Sequence, residues 1–166
     1  MTKVIVLLVL AGFGWWYFDA GRRMTEVEIR AAYDTDMDAL RRFDADALCD
    51  RLSSDFSAEQ TTRQGGQSVE QHYGKTELCE QFHQSVDTMK RLSAASHGRF
   101  TLDIQQDIKE IELSVDRKHA TVQTVSTIRL GDMTLARDRS TEHLIRRNGR
   151  ILSTGGEIRS WAYTPQ

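Results

Sequence analysis

The sequence predicts an α+β domain in which a few helices cover one face of an antiparallel sheet. The first supporting observation is that residues 100–161 form consecutive segments of alternating apolar side chains separated by turn residues, which is typical of a meander of long strands. The second is Asn148-Gly149, the dipeptide that most readily adopts positive φ at both central positions of a type I′ hairpin turn. The third is helical periodicity in much of the chain before residue 100.

The composition indicates one ordinary globular domain. The chain has 166 residues, of which 39% are hydrophobic and 28% charged, as in a typical soluble domain. Its net charge of −2 is spread along the chain without the basic stripe that nucleic-acid binding requires, so we expect no nucleic-acid partner. The single proline, Pro165, lies near the C-terminus, and no Pro-rich linker divides the chain. We therefore expect one domain, residues 24–163, after an N-terminal segment.

Residues 1–23 are predicted to be a membrane anchor. A continuous apolar run covers residues 4–18. At about 1.5 Å per helical residue, the segment 1–21 extends about 31 Å, close to the thickness of about 30 Å of a bilayer core. Trp15, Trp16 and Tyr17 lie towards one end of the run, where aromatic rings prefer the headgroup level.

Two alternatives remain for this segment, a cleaved signal peptide and a buried soluble helix. Cleavage after Ala20 is disfavoured because bulky Phe18 occupies a position that requires a small residue, and cleavage after Gly14 leaves a short apolar core. Arg22 and Arg23 after the run favour a cytoplasmic domain by the positive-inside rule. A short basic start, an apolar core and then a folded domain is instead the layout of an exported protein, so we expect the domain on the periplasmic or extracellular side.

The first predicted helix begins at Thr25, a good N-cap residue with Glu28 three positions later, the arrangement of a capping box. One apolar stripe follows, formed by Val27, Tyr33, Met37 and Leu40. Asp44 predicts a second N-cap, for a short helix that ends before Ser53-Ser54.

Residues 55–60 alternate weakly and predict a short strand. Residues 61–73 are polar, contain Gly65-Gly66 and have no period, so they predict a loop that borders or covers a pocket. Gly74 precedes a strongly amphipathic helix that is expected to end near Gly98. Its apolar positions are Leu78, Phe82, Val86, Met89 and Leu92.

The remaining strands are separated by turns at residues 116–118 and at Gly131-Asp132. Apolar residues alternate in one phase at positions 100–104 and in the opposite phase at positions 111–115. One extra residue between Gln105 and Glu110 explains this change, so we predict a β-bulge there. Strands are then expected at residues 119–130, 133–147 and 150–161.

Three segments carry a resemblance to a known family: residues 43–48 leading into 52–56, residues 74–78 opening a helix, and residues 144–151 in the last hairpin. With the order of elements, they resemble the nuclear transport factor 2-like (NTF2-like) superfamily and, within it, the SnoaL-like branch, over about residues 25–162. The resemblance implies a cone in which about three helices wrap a curved antiparallel sheet of four or five strands. The predicted apolar helix would precede this cone. Such domains often have an apolar pocket and often dimerise.

Function is less constrained than fold, because domains of this resemblance include isomerases, cyclases, dehydratases, transport factors and scaffolds. We expect a membrane-anchored binding or scaffold domain that performs no chemistry. The alternative is a SnoaL-like isomerase, cyclase or dehydratase acting on a small apolar substrate in the pocket. The expected partners are the membrane through residues 1–21, a small apolar ligand or a protein, and a second copy of the chain. The sequence has no dinucleotide or phosphate-loop motif, so we expect no cofactor.

Candidate pocket residues come from the predicted first helix and the last strands. The resemblance implies a role for a tyrosine on the first helix, which here is Tyr33. Arg137, Arg139, Thr141 and His143 alternate and must share one face of a strand. His143 held by Glu157 would be a general base, whereas on a solvent-facing surface these residues are only surface charges. The complete candidate set is Tyr33, Thr124, Ser126, Arg139, Thr141, His143 and Glu157.

The two cysteines, Cys49 and Cys79, allow two interpretations. If the domain is exported, we expect a disulfide between them, whereas a cytoplasmic domain would keep two buried thiols. Cys79 and His83 are one helical turn apart, but two ligands do not make a metal site, so we expect no metal.

Overall fold

The computed structural model describes residues 23–95 and 102–163, together with the isolated positions 5–6, 8–10, 12, 14–15 and 21. The predicted anchor and the predicted helix end at Gly98 therefore lie wholly or largely outside the described residues. Among the residues that are described, no helix is both long enough and apolar enough to cross a membrane.

Three helices and six strands make up the described domain. In chain order they are α1 (Glu26–Arg41), α2 (Ala45–Asp50), β1 (Leu52–Gln64), β2 (Gln67–Gly74), α3 (Lys75–Ala95), β3 (Leu102–Leu113), β4 (His119–Leu130), β5 (Met133–Arg147) and β6 (Arg150–Ala162). They form one sheet of order β2-β1-β6-β5-β4-β3, in which only the β1–β6 pair is parallel. The α+β class is confirmed, but the predicted strand number of four or five is wrong.

The additional strand comes from the segment predicted as a loop. Residues 61–73 belong to a long hairpin of β1 and β2, which turns at Gly65 and Gly66 with φ values of 56° and 84°. Most side chains of this arm are exposed on both faces. Because both faces of the arm meet solvent, its side chains are polar on both. The alternation of apolar and polar residues that identifies a half-buried strand is therefore missing from the sequence.

Several local signals are confirmed. Thr25 and Glu28 form a capping box, and the Asp44 side chain accepts a hydrogen bond from the backbone N–H of Ala47 at the start of α2. Asn148 and Gly149 have φ values of 51° and 74° at the β5–β6 turn. The register of β3 against β4 shifts between residues 108 and 110, where the bulge was predicted.

The predicted stripe on α1 is wrong at Val27, whose side chain is 77% exposed. The fully buried residue in this turn is Ile29, one turn before buried Tyr33. Residues four apart share a helix face, so Ile29 and Tyr33 together define the side of α1 that contacts the sheet.

Two apolar clusters join the helices to one face of the sheet, here called the covered face. The first cluster contains Met24, Ile29, Tyr33, Ala120, Val122, Leu144 and Ile151. The second contains Leu52, Phe56 and Ala58, against which Leu78, Cys79 and Phe82 pack. The opposite face of the sheet is called the open face.

Gly155 and Gly156 change the phase of β6. Their φ values are 121° and 145°, and a Cβ atom would overlap the carbonyl oxygen of Ser57 at the first and that of Thr141 at the second. Before this pair Ser153 is buried, and after it Ser160 is buried, so the alternation shifts by one residue. As a result, Glu157 is exposed.

Candidate ligand cavity

A cavity of about 790 Å³ opens between the three helices and the covered face. This volume falls within the range of about 300–1,000 Å³ that is typical of small-molecule sites. Its apolar walls come from the helices, from residues of both clusters and from strands β3 and β4, namely Tyr33, Met37, Leu40, Leu48, Leu52, Phe82, Met89, Ile104 and Ile128.

Tyr33 lies at the wall formed by α1. Its hydroxyl donates a hydrogen bond to Glu142 Oε2 on β5, and its side chain is 6% exposed. Burial, together with the negative charge of Glu142, raises the pKa of Tyr33 far above that of a free phenol. The phenol therefore stays protonated and acts as a hydrogen-bond donor.

Asp36 and Arg51 form an ion pair in the same wall. Arg51 Nε lies 2.9 Å from Asp36 Oδ1 and 2.8 Å from Oδ2. Arg51 Nη1 donates to the carbonyl oxygen of Ile151, and the guanidinium carbon is 6.0 Å from the centroid of the Tyr33 ring. Burial raises the pKa of Asp36, and the positive charge of Arg51 only partly offsets this effect.

Asp138 is the third carboxylate of the cavity lining. It lies on β5, opposite Ser126 of β4 and Ser160 of β6. Ser160 donates a hydrogen bond that lowers the pKa of Asp138, but burial has the larger effect and raises it. No lysine or arginine of the described segments forms an ion pair with this carboxylate.

Only part of the predicted pocket set lines this cavity. Tyr33 and Ser126 do so. Thr124 is buried within the sheet, where its Oγ1 atom is 2.7 Å from Ser140 Oγ.

The other predicted pocket residues lie on the open face. Arg139, Thr141 and Glu157 line a separate depression of about 430 Å³. His143 is exposed and pairs with Gly155 rather than with Glu157, which is opposite Thr141. The contacts of these two side chains are with other residues: His143 Nδ1 lies 3.3 Å from Thr121 Oγ1, and Glu157 Oε2 lies 3.6 Å from Arg159 Nη2.

Sequence reasoning missed the four charged residues in the described lining of the cavity, Asp36, Arg51, Asp138 and Glu142. A signal was present for three of them. Asp138 and Glu142 share the strand phase of buried Leu144, and Asp36 follows Tyr33 by one helical turn. Arg51 had no such signal, because it lies outside any periodic segment.

Cys49 and Cys79 face each other across α2 and α3. Their Cα atoms are 5.3 Å apart, within the range of about 4.4–6.8 Å that a disulfide requires. His83 Nε2 is 3.5 Å from Asp46 Oδ1. Where residues are described, no group of three or more histidine, cysteine, aspartate or glutamate side chains is arranged to hold a metal ion.

No protein-family model and no curated protein matches this chain. Solved structures do match. An NTF2-like protein of unknown function from Pseudomonas putida has a TM-score of 0.53 and 14% identity, over 81% of this chain and 84% of that one. An NTF-2 like protein of unknown function from Silicibacter pomeroyi has a TM-score of 0.54 and 13% identity, over 82% and 99% of the two chains.

A domain of unknown function with a cystatin-like fold from Nostoc punctiforme is similar to the same extent. It has a TM-score of 0.55 and 15% identity, over 86% of this chain and 81% of that one. Identities this low establish the shape of the chain and nothing of its chemistry. The chain has the NTF2-like fold.

Proposed function

We propose that this domain binds a small, largely apolar organic molecule in the cavity between its helices and its sheet. The observation that carries the proposal is the cavity itself, about 790 Å³ in volume, with apolar walls and a few charged groups at fixed positions.

The charged groups in the wall support binding because they are held in place before a ligand arrives. Asp36 holds Arg51 through both carboxylate oxygens, and Tyr33 holds Glu142. Groups fixed in this way lose little conformational freedom on binding, and this lowers the entropic penalty of association.

Binding is tested with 1-adamantanol, a compact apolar alcohol, by titration calorimetry on the purified full chain. We expect saturable binding that Ser126→Phe weakens at least about ten-fold by filling the cavity, a change of about 1.4 kcal/mol. Thr127→Phe is the matched control, because the neighbouring side chain points to the open face and should leave affinity unchanged. Equal binding to both variants, or none to the native protein, would contradict the proposal.

A second candidate function is a SnoaL-like isomerase, cyclase or dehydratase. Asp138 favours it, because a carboxylate in an apolar cavity with a raised pKa is suited to moving a proton. His143 does not serve as its base, since it is exposed and absent from the cavity lining. Mass spectrometry and NMR of ligands recovered after long incubation separate the candidates, because a binding protein returns them unchanged.

We further propose that residues 1–23 tether the domain to a membrane on its exported side, where Cys49 and Cys79 form a disulfide. The apolar run at residues 4–18 supports the membrane tether. The separation of 5.3 Å between the Cα atoms of Cys49 and Cys79 supports the disulfide. For the full chain expressed in a bacterium, we expect an uncleaved N-terminus in the membrane fraction by mass spectrometry. Denatured, unreduced protein should resist thiol labelling and become labelled after reduction. A shortened N-terminus would refute the uncleaved tether. Labelling of the cysteines without reductant would refute the disulfide.

A further inference from the structure

The charged residues of the cavity are unbalanced. Among the described residues that line it, the ionisable acids other than Tyr33 are Asp36, Asp138 and Glu142, and the only base is Arg51. Arg51 is already engaged, since its Nε contacts both oxygens of Asp36 and its Nη1 donates to a backbone carbonyl. In the described part of the lining, one cation therefore faces three carboxylates, and one of the three, Asp36, is already its ion-pair partner.

Glu142 contacts a neutral group in the cavity wall. Its hydrogen-bond partner is the hydroxyl of Tyr33, and a phenol whose pKa is raised by burial stays neutral. A neutral donor adds no positive charge to the cavity wall, so Tyr33 does not act as a counter-ion for this carboxyl group.

Asp138 also has a neutral hydrogen-bond donor, Ser160, and no cation of the described residues is paired with it. Ser126 of β4 and Ser160 of β6 flank it across the sheet, and both are neutral. The wall of α3 adds neutral Gln84, Ser85 and Thr88 to the same cavity. Burial without a nearby cation disfavours the charged form and raises its pKa.

We propose that the natural ligand is a cationic organic molecule, an apolar body carrying a protonated amine, with Asp138 as the counter-ion of the amine. This rests on the proposed ligand-binding function and specifies its ligand class. An ammonium group in the cavity would replace water around Asp138 with an opposite charge in a region of low dielectric constant, where such a contact is strong. An anionic ligand would add a further negative charge, and its natural partner, Arg51, is engaged by Asp36.

The test compares three probes that share one apolar cage and differ in charge: 1-adamantylamine, 1-adamantanol and 1-adamantanecarboxylate. On the full chain at pH 7, we expect the amine to bind at least about ten-fold more tightly than the alcohol, and the carboxylate to bind least. Failure of the alcohol and the amine alike would refute the proposed binding function. Binding of the alcohol without any preference for the amine would refute only the cationic ligand.

Variants assign the preference to one carboxylate. Asp138→Asn should reduce the affinity for the amine to that of the alcohol. Asp132→Asn is the matched control, because Asp132 is exposed in the β4–β5 turn and lies outside the cavity lining, so the preference should persist. A preference that survives Asp138→Asn would refute the role of Asp138. If this variant does not fold, the comparison of the three probes on the native protein still decides the ligand class.

The pH dependence of the same preference gives a second measurement. Protonation of Asp138 removes the counter-ion, so the affinity for the amine should fall towards that of the alcohol as pH is lowered through the raised pKa of this carboxylate. Asp36, Arg51 and Glu142 face the same cavity, so the curve is recorded for Asp138→Asn as well. An identical pH dependence in both proteins would contradict the assignment.

Discussion

Replacing Arg51 by methionine is expected to lower the free energy of unfolding by about 3–5 kcal/mol. Arg51 and Asp36 are only 14% and 23% exposed, so the substitution leaves a carboxylate largely buried without its cation. Methionine retains much of the apolar stem of arginine, so most of the expected loss in the free energy of unfolding comes from the missing charge. Urea unfolding followed by circular dichroism measures the change.

The matched control is Arg41→Met. Arg41 pairs with Asp38 at 3.0 Å, but these side chains are 70% and 58% exposed, and we expect a change below about 0.5 kcal/mol. Similar losses in the free energy of unfolding for the two variants would show that burial does not strengthen the contribution of the Asp36–Arg51 pair to stability.

The pH dependence of Arg51→Met provides a further check within this experiment. Burial raises the pKa of Asp36 in the folded state, and removing Arg51 raises it further because the guanidinium is the group that lowers it. A carboxyl group whose folded pKa exceeds its unfolded pKa destabilises the fold above that pKa and not below the unfolded one, about 3.9. The difference between native protein and variant should therefore shrink as pH falls towards 4. A difference independent of pH would show that lost packing is responsible.

The second large effect is expected for Gly155→Ala, with a loss of about 3 kcal/mol or more in the free energy of unfolding. At a φ of 121° an L side chain is strained, and the added Cβ would overlap the carbonyl oxygen of Ser57 on β1. Relief of this overlap requires β6 to move away from β1, and these strands form the parallel pair in the interior of the sheet.

Gly131→Ala is the control for this variant. Gly131 also has a positive φ, 59°, but no atom lies within 4 Å of an added Cβ, so only backbone strain of about 1–2 kcal/mol is expected. Urea unfolding of both variants under the same conditions separates strain from overlap. A loss for Gly155→Ala no greater than that for Gly131→Ala would contradict the close approach of β6 to β1.

Much of the fold was accessible from sequence because its signals are local. The capping box at Thr25, the cap at Asp44 and the turn at Asn148-Gly149 each depend on residues within a few positions of one another. The β1–β2 arm was missed for an equally local reason. Both its faces meet solvent, so no alternation marks it as a strand.

The cavity was less accessible because its contacts join distant parts of the chain. Tyr33 and Glu142 are 109 positions apart, and Asp36 and Arg51 are 15 apart. Alternation along β5 separates Arg137, Arg139, Thr141 and His143 from Asp138, Ser140, Glu142 and Leu144. Both sets are mostly polar, so apart from Leu144 the alternation does not indicate which set the helices cover.

The sequence by itself determined the α+β class, the caps, the turns and the β3 bulge, because short-range hydrogen bonding and strand periodicity specify them. Only the tertiary structure decided which face of β5 lines the cavity, since that depends on where α1 packs. It also decided the position of Glu157, because Gly155 and Gly156 shift the phase of β6 where its backbone meets β1 and β5. Among the described residues, the charged side chains that line the cavity are therefore Asp36, Arg51, Asp138 and Glu142, while His143 and Glu157 lie outside its lining.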